Sequence, residues 1–305
     1  MRNSGSILKI SFVCILVFFV MSCSIMEQGV GVLSEVGLVR KDDAQGIVKT
    51  SKALRKGFGE ITEEEEYYIG RAVAALILSR YTVYENNSIT KYVNTLGNAI
   101  AVHSDRPETY AGYHFLILDS DEINAMAAPS GFVFITKGLL ERCRDEEMLA
   151  AVLAHEIGHV YAKHGLKSIK KSRLVDAFKL IGQEAVDRYG SQELAQLTGI
   201  FEEVLGDVMD KLVERGYDRK YEYEADRLSV HYTVQTGYNP GGLSDFLGAM
   251  GAESGGDSTS GWFKTHPSAK DRLKRVEKEI LSITDIHAKR AARTNRFKRT
   301  VRGIK

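Results

Sequence analysis

His155 and His159, four residues apart with Glu156 between them, are the residues of this chain best suited to chemistry. On a helix such histidines lie about 40° apart around the axis and one turn above each other. Their imidazoles can take two adjacent corners of a tetrahedral zinc site, one ion per chain. Glu156 lies on the flank of that face, within reach of a water at the metal but badly placed to ligate. This suits the general base of metal-assisted peptide hydrolysis.

That chemistry needs a helix, and the preceding residues supply one. Asp145 is a good N-cap, and Glu146 and Glu147 complement the dipole of the first turn. Leu149, Val152, Leu153 and Ile157 make a helical apolar stripe. A catalytic zinc needs a third protein ligand and keeps one position open. Tyr221-Glu222-Tyr223-Glu224-Ala225-Asp226 offers it. Glu222 and Asp226 share a helix face, whereas Glu224 points about 200° away from Glu222. The E-x-x-A-D spacing selects Glu222 as ligand. Asp226 suits a supporting role, holding a ligand histidine by hydrogen bond. Glu224 is then a solvated helix position.

His266 follows a flexible Gly251 to Gly261 stretch and precedes Pro267, a helix-start signal. Three uses stay open for it: oxyanion stabiliser, fourth zinc ligand acting as a latch, or helix-capping surface residue. His164 is nine residues past His155 and His231 nine past Glu222, so both face away from the metal if their helices continue. His103, His114 and His287 lack neighbouring ligand types.

The elements that must position these groups read as follows. Thr62-x-x-Glu65 is a capping box that opens a helix continuing through Ala72, Leu76 and Ile77. A second helix spans about Ile89 to Val102. Tyr113 to Leu118 and Phe132 to Thr136 read as strands, the latter after a Pro129-Ser130-Gly131 turn. Between His159 and Glu222 lies an insert, Gly165 to Arg215, read as an antiparallel helix pair broken at Gly190-Ser191. It could serve as a lid or partner surface, or simply enlarge the core.

Four motifs occur in order: Asn124-Ala-Met-Ala-Ala-Pro-Ser-Gly-Phe-Val-Phe-Ile-Thr-Lys-Gly-Leu-Leu140, His155-Glu-Ile-Gly-His159, the later E-x-x-A-D, and Thr265-His266-Pro267-Ser268. Together they resemble metallopeptidase family forty-eight, a group of gluzincin zinc peptidases, from about Ile61 to Asp285. Two departures touch no proposed ligand: Ser130-Gly131 stands where a glycine pair is common, and Ser268 where a second proline is. The resemblance implies a single α+β domain, mostly helical, with a small sheet beside the H-E-x-x-H helix. It makes Asn124, Ala125, Met126, Ala127 and Ala128 the edge strand along which an extended substrate pairs, a mode that reads peptide shape with little demand on sequence. It also puts His266 close to the active site. The lack of several transmembrane helices makes the chain similar to the family's lipoprotein-type members.

The N-terminus agrees. Arg2 and Lys9 flank a polar start, and the apolar run Ile10 to Met21 suits a signal h-region better than a membrane span. Val20-Met21-Ser22-Cys23 resembles a bacterial lipobox with an unusual Met. Residues 1–22 are thus expected to be a lipoprotein signal, Cys23 the lipidated first residue, 23–60 a tether, 61–285 the peptidase domain with its 165–215 insert, and 286–305 a basic tail. Ser24 is not the Asp that marks inner-membrane retention, so the resemblance places the protein on the periplasmic face of the outer membrane. A secreted protein or uncleaved anchor is the plainer alternative. Cys14 leaves with the signal and Cys23 carries lipid, so Cys143, expected near the start of the active-site helix, has no disulfide partner.

The 305 residues are 44% hydrophobic with net charge +1, enough for one large core. Residues 286–305 hold eight Lys or Arg and no acid. This tail could contact anionic lipid, or be a solvated, disordered terminus. Nucleic acid is a poor match for an exported protein. The expected function is a zinc endopeptidase of the bacterial envelope acting on unfolded or misassembled polypeptides, with envelope assembly proteins as possible partners. The alternative is an assembly or chaperone lipoprotein with a latent zinc site.

Overall fold

The computed structural model describes residues 61–168, 205–253, 262–266, 269–283, 288, 290–302 and 304. The expected signal (1–22), Cys23, the expected tether (to residue 60) and most of the 165–215 insert lie outside these residues, as do Pro267, Ser268 and His287. Among the described residues, no helix is long and apolar enough to cross a membrane.

Helix α1 (Glu63–Arg80) starts at the expected capping box: Thr62 Oγ1 accepts from the Glu65 amide at 3.2 Å, and Glu65 Oε2 accepts from the Thr62 amide at 2.9 Å. Helix α2 (Asn87–Val102) begins two residues before the apolar pattern, because the Asn86 side chain caps the Ile89 amide. Strands β1 (His114–Leu118), β2 (Ala125–Ala128) and β3 (Phe132–Thr136) form a mixed sheet in the order β1-β3-β2. β1 and β3 are parallel, and β2 is antiparallel to β3 with Ala125 opposite Ile135. Period-2 alternation turns Phe115, Ile117, Ala125, Ala127, Val133 and Ile135 into the main core. The opposite face takes α1, which also packs on the Pro129–Gly131 turn. A Cβ at Gly70 would lie 2.1 Å from the Pro129 carbonyl oxygen, so this approach requires glycine.

A short helix α3 (Lys137–Arg142) leads to α4 (Glu146–Tyr161), which carries the two histidines. Asp145 caps α4 by accepting from the Met148 amide at 3.0 Å. Every residue from Glu146 to Val160 is buried, so α4 is the central helix of the domain. Cys143 is buried just before it, and burial pushes its thiol pKa up. After α4 come a one-turn helix, α5 (His164–Lys167), a π-helical turn at Asp210–Arg215 and helix α6 (Arg219–Gln235). Helices α7 (Gly241–Glu253), α8 (Trp262–Thr265), α9 (Ala269–Leu281) and α10 (Ala291–Val301) complete the order.

The basic C-terminal segment is not a solvated tail. Helix α10 inserts Phe297 into the core and faces the acidic first turn of α4. Glu146 is fully buried and accepts from Tyr92 Oη at 2.8 Å, Tyr238 Oη at 2.7 Å and Arg296 Nε at 2.7 Å. Glu147, also fully buried, accepts from the Asn239 amide at 2.8 Å and Arg293 Nη1 at 3.3 Å. Two carboxylates taken out of water need this partnership. Arg296→Ala is expected to lower stability by about 2 kcal/mol, the worth of a hydrogen bond to a charged group, since the two tyrosines still serve Glu146. Urea unfolding checks it, and an unchanged midpoint would show that α10 does not brace the active helix.

Candidate metal centre

The closeness of α4 and α6 sets the site. A Cβ at Gly158 would lie 3.2 Å from Leu228 Cβ and 3.4 Å from Ala225 Cα. The glycine of H-E-x-G-H and the alanine of E-x-x-A-D are therefore the contact that brings two pairs of functional residues together. His155, His159, Glu222 and His266 offer donor atoms all within 4.8 Å of one another, and all four residues are buried. His155 Nε2 lies 3.0 Å from His159 Nε2 and 3.6 Å from Glu222 Oε2. His159 Nε2 lies 3.6 Å from Glu222 Oε1. His266 Nδ1 lies 3.4 Å from His155 Nε2 and 3.1 Å from Glu222 Oε2.

Zinc bound tetrahedrally through nitrogen and oxygen at about 2.0–2.1 Å holds its donors about 3.3 Å apart. The spacing and the donor chemistry, three imidazoles and a carboxylate, fit that ion. Glu156 is not among the donors. Its Oε1 is buried with no hydrogen-bond partner, and His266 Nε2 stands 3.7 Å from it. Burial pushes the Glu156 carboxyl above the usual carboxylate range, against the pull of His266 and His155. His266 stacks on Trp262 at 3.9 Å between ring centres, and its Nε2 lies 3.3 Å from the Ala125 carbonyl oxygen of β2. Of its three possible uses, this geometry matches the fourth donor. β2 itself is buried along its length.

Asp226 stands where a supporting residue should, with Oδ1 3.1 Å from His155 Nδ1. The charges around the site are arranged by a residue that sequence reasoning missed. Arg272, on α9 and fully buried, donates to both oxygens of Asp226 at 2.7 and 2.8 Å and to the His266 carbonyl at 3.2 Å. Its Nη1 is also 2.9 Å from Glu222 Oε2. Burial pushes the Glu222 carboxyl up, but His266 and Arg272 outweigh it and hold it well below its usual range. Burial likewise lowers His155, yet Asp226 and Glu222 overcome it and lift the imidazole to about 9. His159 is held well below the usual range by burial and by His155. The one available signal for Arg272 was an arginine in the stripe it shares with buried Val276, where an apolar residue is expected.

Two expectations are overturned. His164 does not face away: α4 ends at Tyr161, Lys163 takes a left-handed conformation (φ 54°), and His164 folds back beneath His159. The condition that the helix continue is not met, although His164 stays outside the donor cluster, as expected. Glu224 is 39% exposed in its side chain, but it is not merely solvated, because its Oε2 meets His164 Nε2 at 3.1 Å. Tyr217, also missed, stacks on His159 at 4.6 Å between ring centres. His231 lies at an exposed position of α6, as expected.

Comparison with known proteins agrees with this centre. The model of Peptidase family M48 matches residues 87–280. The beta-barrel assembly-enhancing protease of Escherichia coli (strain K12) is 27% identical over 204 residues, 65% of this chain and 39% of that protein. Metalloprotease LoiP of the same organism is 28% identical over 203 residues, covering 65% of this chain and 73% of LoiP. The mitochondrial metalloendopeptidase OMA1 of Schizosaccharomyces pombe is 26% identical over 227 residues, 73% of this chain and 63% of OMA1. The chain thus spans about four tenths of the beta-barrel assembly-enhancing protease. With the family model matching most of the chain, including both histidines of α4, Glu222 and His266, the protein belongs to Peptidase family M48.

Proposed function

We propose that this chain is a zinc-dependent endopeptidase of the bacterial cell envelope that cleaves unfolded or misassembled polypeptides. The observation that carries the reading is the buried donor set of His155, His159, Glu222 and His266 with Glu156 beside it, outside the set and unpartnered at Oε1. His155, His159 and Glu222 would hold the ion, with His266 as a fourth donor that must leave to open the position for water. Zinc bound there supplies Lewis acidity, lowering the pKa of water and polarising a carbonyl. Glu156 takes a proton from the attacking water and delivers it to the leaving amine. Asp226 holds His155, and Arg272 holds Asp226 and Glu222, so the ligands keep their places while the proton moves.

The substrate runs in extended form along β2, residues 125–128, with Asn124 at its start. Main-chain pairing there favours unfolded chains over folded ones. His266 Nε2 faces the Ala125 carbonyl, so a peptide pairing with Ala125 must displace His266. The relative named for enhancing beta-barrel assembly supports the envelope setting and envelope assembly proteins as partners. Digestion of a denatured outer-membrane protein tests the activity. Cleavage is expected, lost on chelation and restored by zinc. Cleavage that survives complete removal of metal would contradict the reading.

Residues 1–22 act as a lipoprotein signal, and Cys23 carries the lipid that holds the domain at the outer membrane. Cys23→Ser is expected to block lipidation and processing at that position and release the protein from membranes. Mass spectrometry of the mature N-terminus checks it. A mature chain that starts elsewhere and carries no lipid would refute the anchor.

A further inference from the structure

We propose that His164 and Glu224 are a positioning pair that sets which nitrogen of His159 faces the donor cluster. The inference rests on the reading of that cluster as a zinc site. His159 Nδ1 lies 2.8 Å from His164 Nδ1, and His164 Nε2 lies 3.1 Å from Glu224 Oε2. At the far side of the same ring, His159 Nε2 points at His155 and Glu222.

Hydrogen-bond inventory fixes the direction of the chain. An ionised carboxylate only accepts, so His164 must donate from Nε2. Two N–H groups cannot point at each other across 2.8 Å, so one Nδ1 donates and the other accepts. A His159 that ligates through Nε2 carries its proton on Nδ1, and His164 Nδ1 accepts it. This donation leaves the lone pair of His159 Nε2 facing the cluster, as a ligand needs. His164 is fully buried between the two groups that its ring nitrogens meet. Tyr221, with its ring centre 4.4 Å from that of His164, and Tyr217, at 5.9 Å, flank the ring.

The two ligand histidines are thus served differently. His155 has Asp226 directly behind it, within α6. His159 receives its carboxylate by relay, from a glutamate on the outward side of the same helix. Glu222 and Glu224, two residues apart, act on His159 from opposite ends. The left-handed Lys163 makes this possible, because a continuing helix would carry His164 away. Supporting hydrogen bonds of this kind change metal affinity by about 10–100-fold.

Competition with a chromophoric chelator, using the full chain, measures the effect on zinc affinity. His164→Leu is expected to weaken zinc binding by about 10–100-fold. His164→Asn, whose side-chain carbonyl can accept from His159 Nδ1, should recover most of the loss. Glu224→Ala should fall between wild type and His164→Leu. If wild type binds zinc and His164→Leu binds it equally well, the positioning role is wrong while the zinc reading stands. Asparagine no better than leucine would also reject it, since packing alone would then explain the loss. A wild-type chain that takes up no zinc overturns the zinc reading itself and this inference with it. Should the leucine variant fail to fold, long-range proton–nitrogen spectra of the wild type decide. Protons on His159 Nδ1 and His164 Nε2 are expected, and the reverse tautomers would overturn the proposal.

Discussion

Glu156→Gln is expected to cut proteolysis by about 10³-fold or more while zinc content and thermal stability stay at wild-type levels, since general acid–base catalysis contributes up to about 10⁴. The substitution keeps the shape of a residue that is 1% exposed and removes only its ability to take a proton. Nothing in the donor set changes, because Glu156 is not one of the four clustered residues. The variant would be compared with wild type on one denatured substrate, with zinc measured on the same samples. Activity within a factor of ten of wild type would reject Glu156 as the base. Loss of zinc along with activity would show that Glu156 holds the metal instead.

The second large effect concerns stability. Arg272→Met removes the cation lying between Glu222 and Asp226, both buried, and leaves Asp226 without its main partner and Glu222 with His266 as its remaining close one. Removing one side of a buried charge pair typically costs about 3–5 kcal/mol. Arg272 also donates to the His266 carbonyl, so the chain carrying that histidine loses an anchor. Urea unfolding in chelator should show a loss of this size. Added zinc should stabilise the variant and narrow the difference, because it places positive charge against the same Glu222. A variant as stable as wild type would mean that water or rearranged side chains serve these carboxylates, and that Arg272 does not organise the site.

Much of the framework was legible because its signals are local. The α4 helix announced itself by Asp145, its two first-turn glutamates and an apolar stripe. The capping box at Thr62 and the strand at Phe132–Thr136 fell where the residues put them. Helical angle allowed only one of Glu222 and Glu224 to face the metal, the E-x-x-A-D spacing selected Glu222, and of the two only Glu222 is in the cluster. What failed depends on contacts between segments far apart in sequence. His164 was misplaced because Lys163 leaves the helical region without a glycine to signal it. Arg272 was missed because its partners, Glu222 and Asp226, lie far from it in sequence. The C-terminal arginines read as lipid-contacting or solvated, because residues 286–305 hold no acidic residue, while Glu146 and Glu147 read as complementing the helix dipole. Their complete burial requires more, and α10 supplies it. The role of His266 hinged on which ring nitrogen faces Glu222, which no spacing encodes.

The most direct test of the zinc site is an anomalous difference map at the zinc edge from crystals of the zinc-loaded chain. One peak per molecule is expected, bounded by Nε2 of His155, Nε2 of His159 and the Glu222 carboxylate, with His266 Nδ1 at the fourth corner and Glu156 outside the coordination sphere. A peak held by Glu224 in place of Glu222, or no peak among these residues, would contradict the assignment.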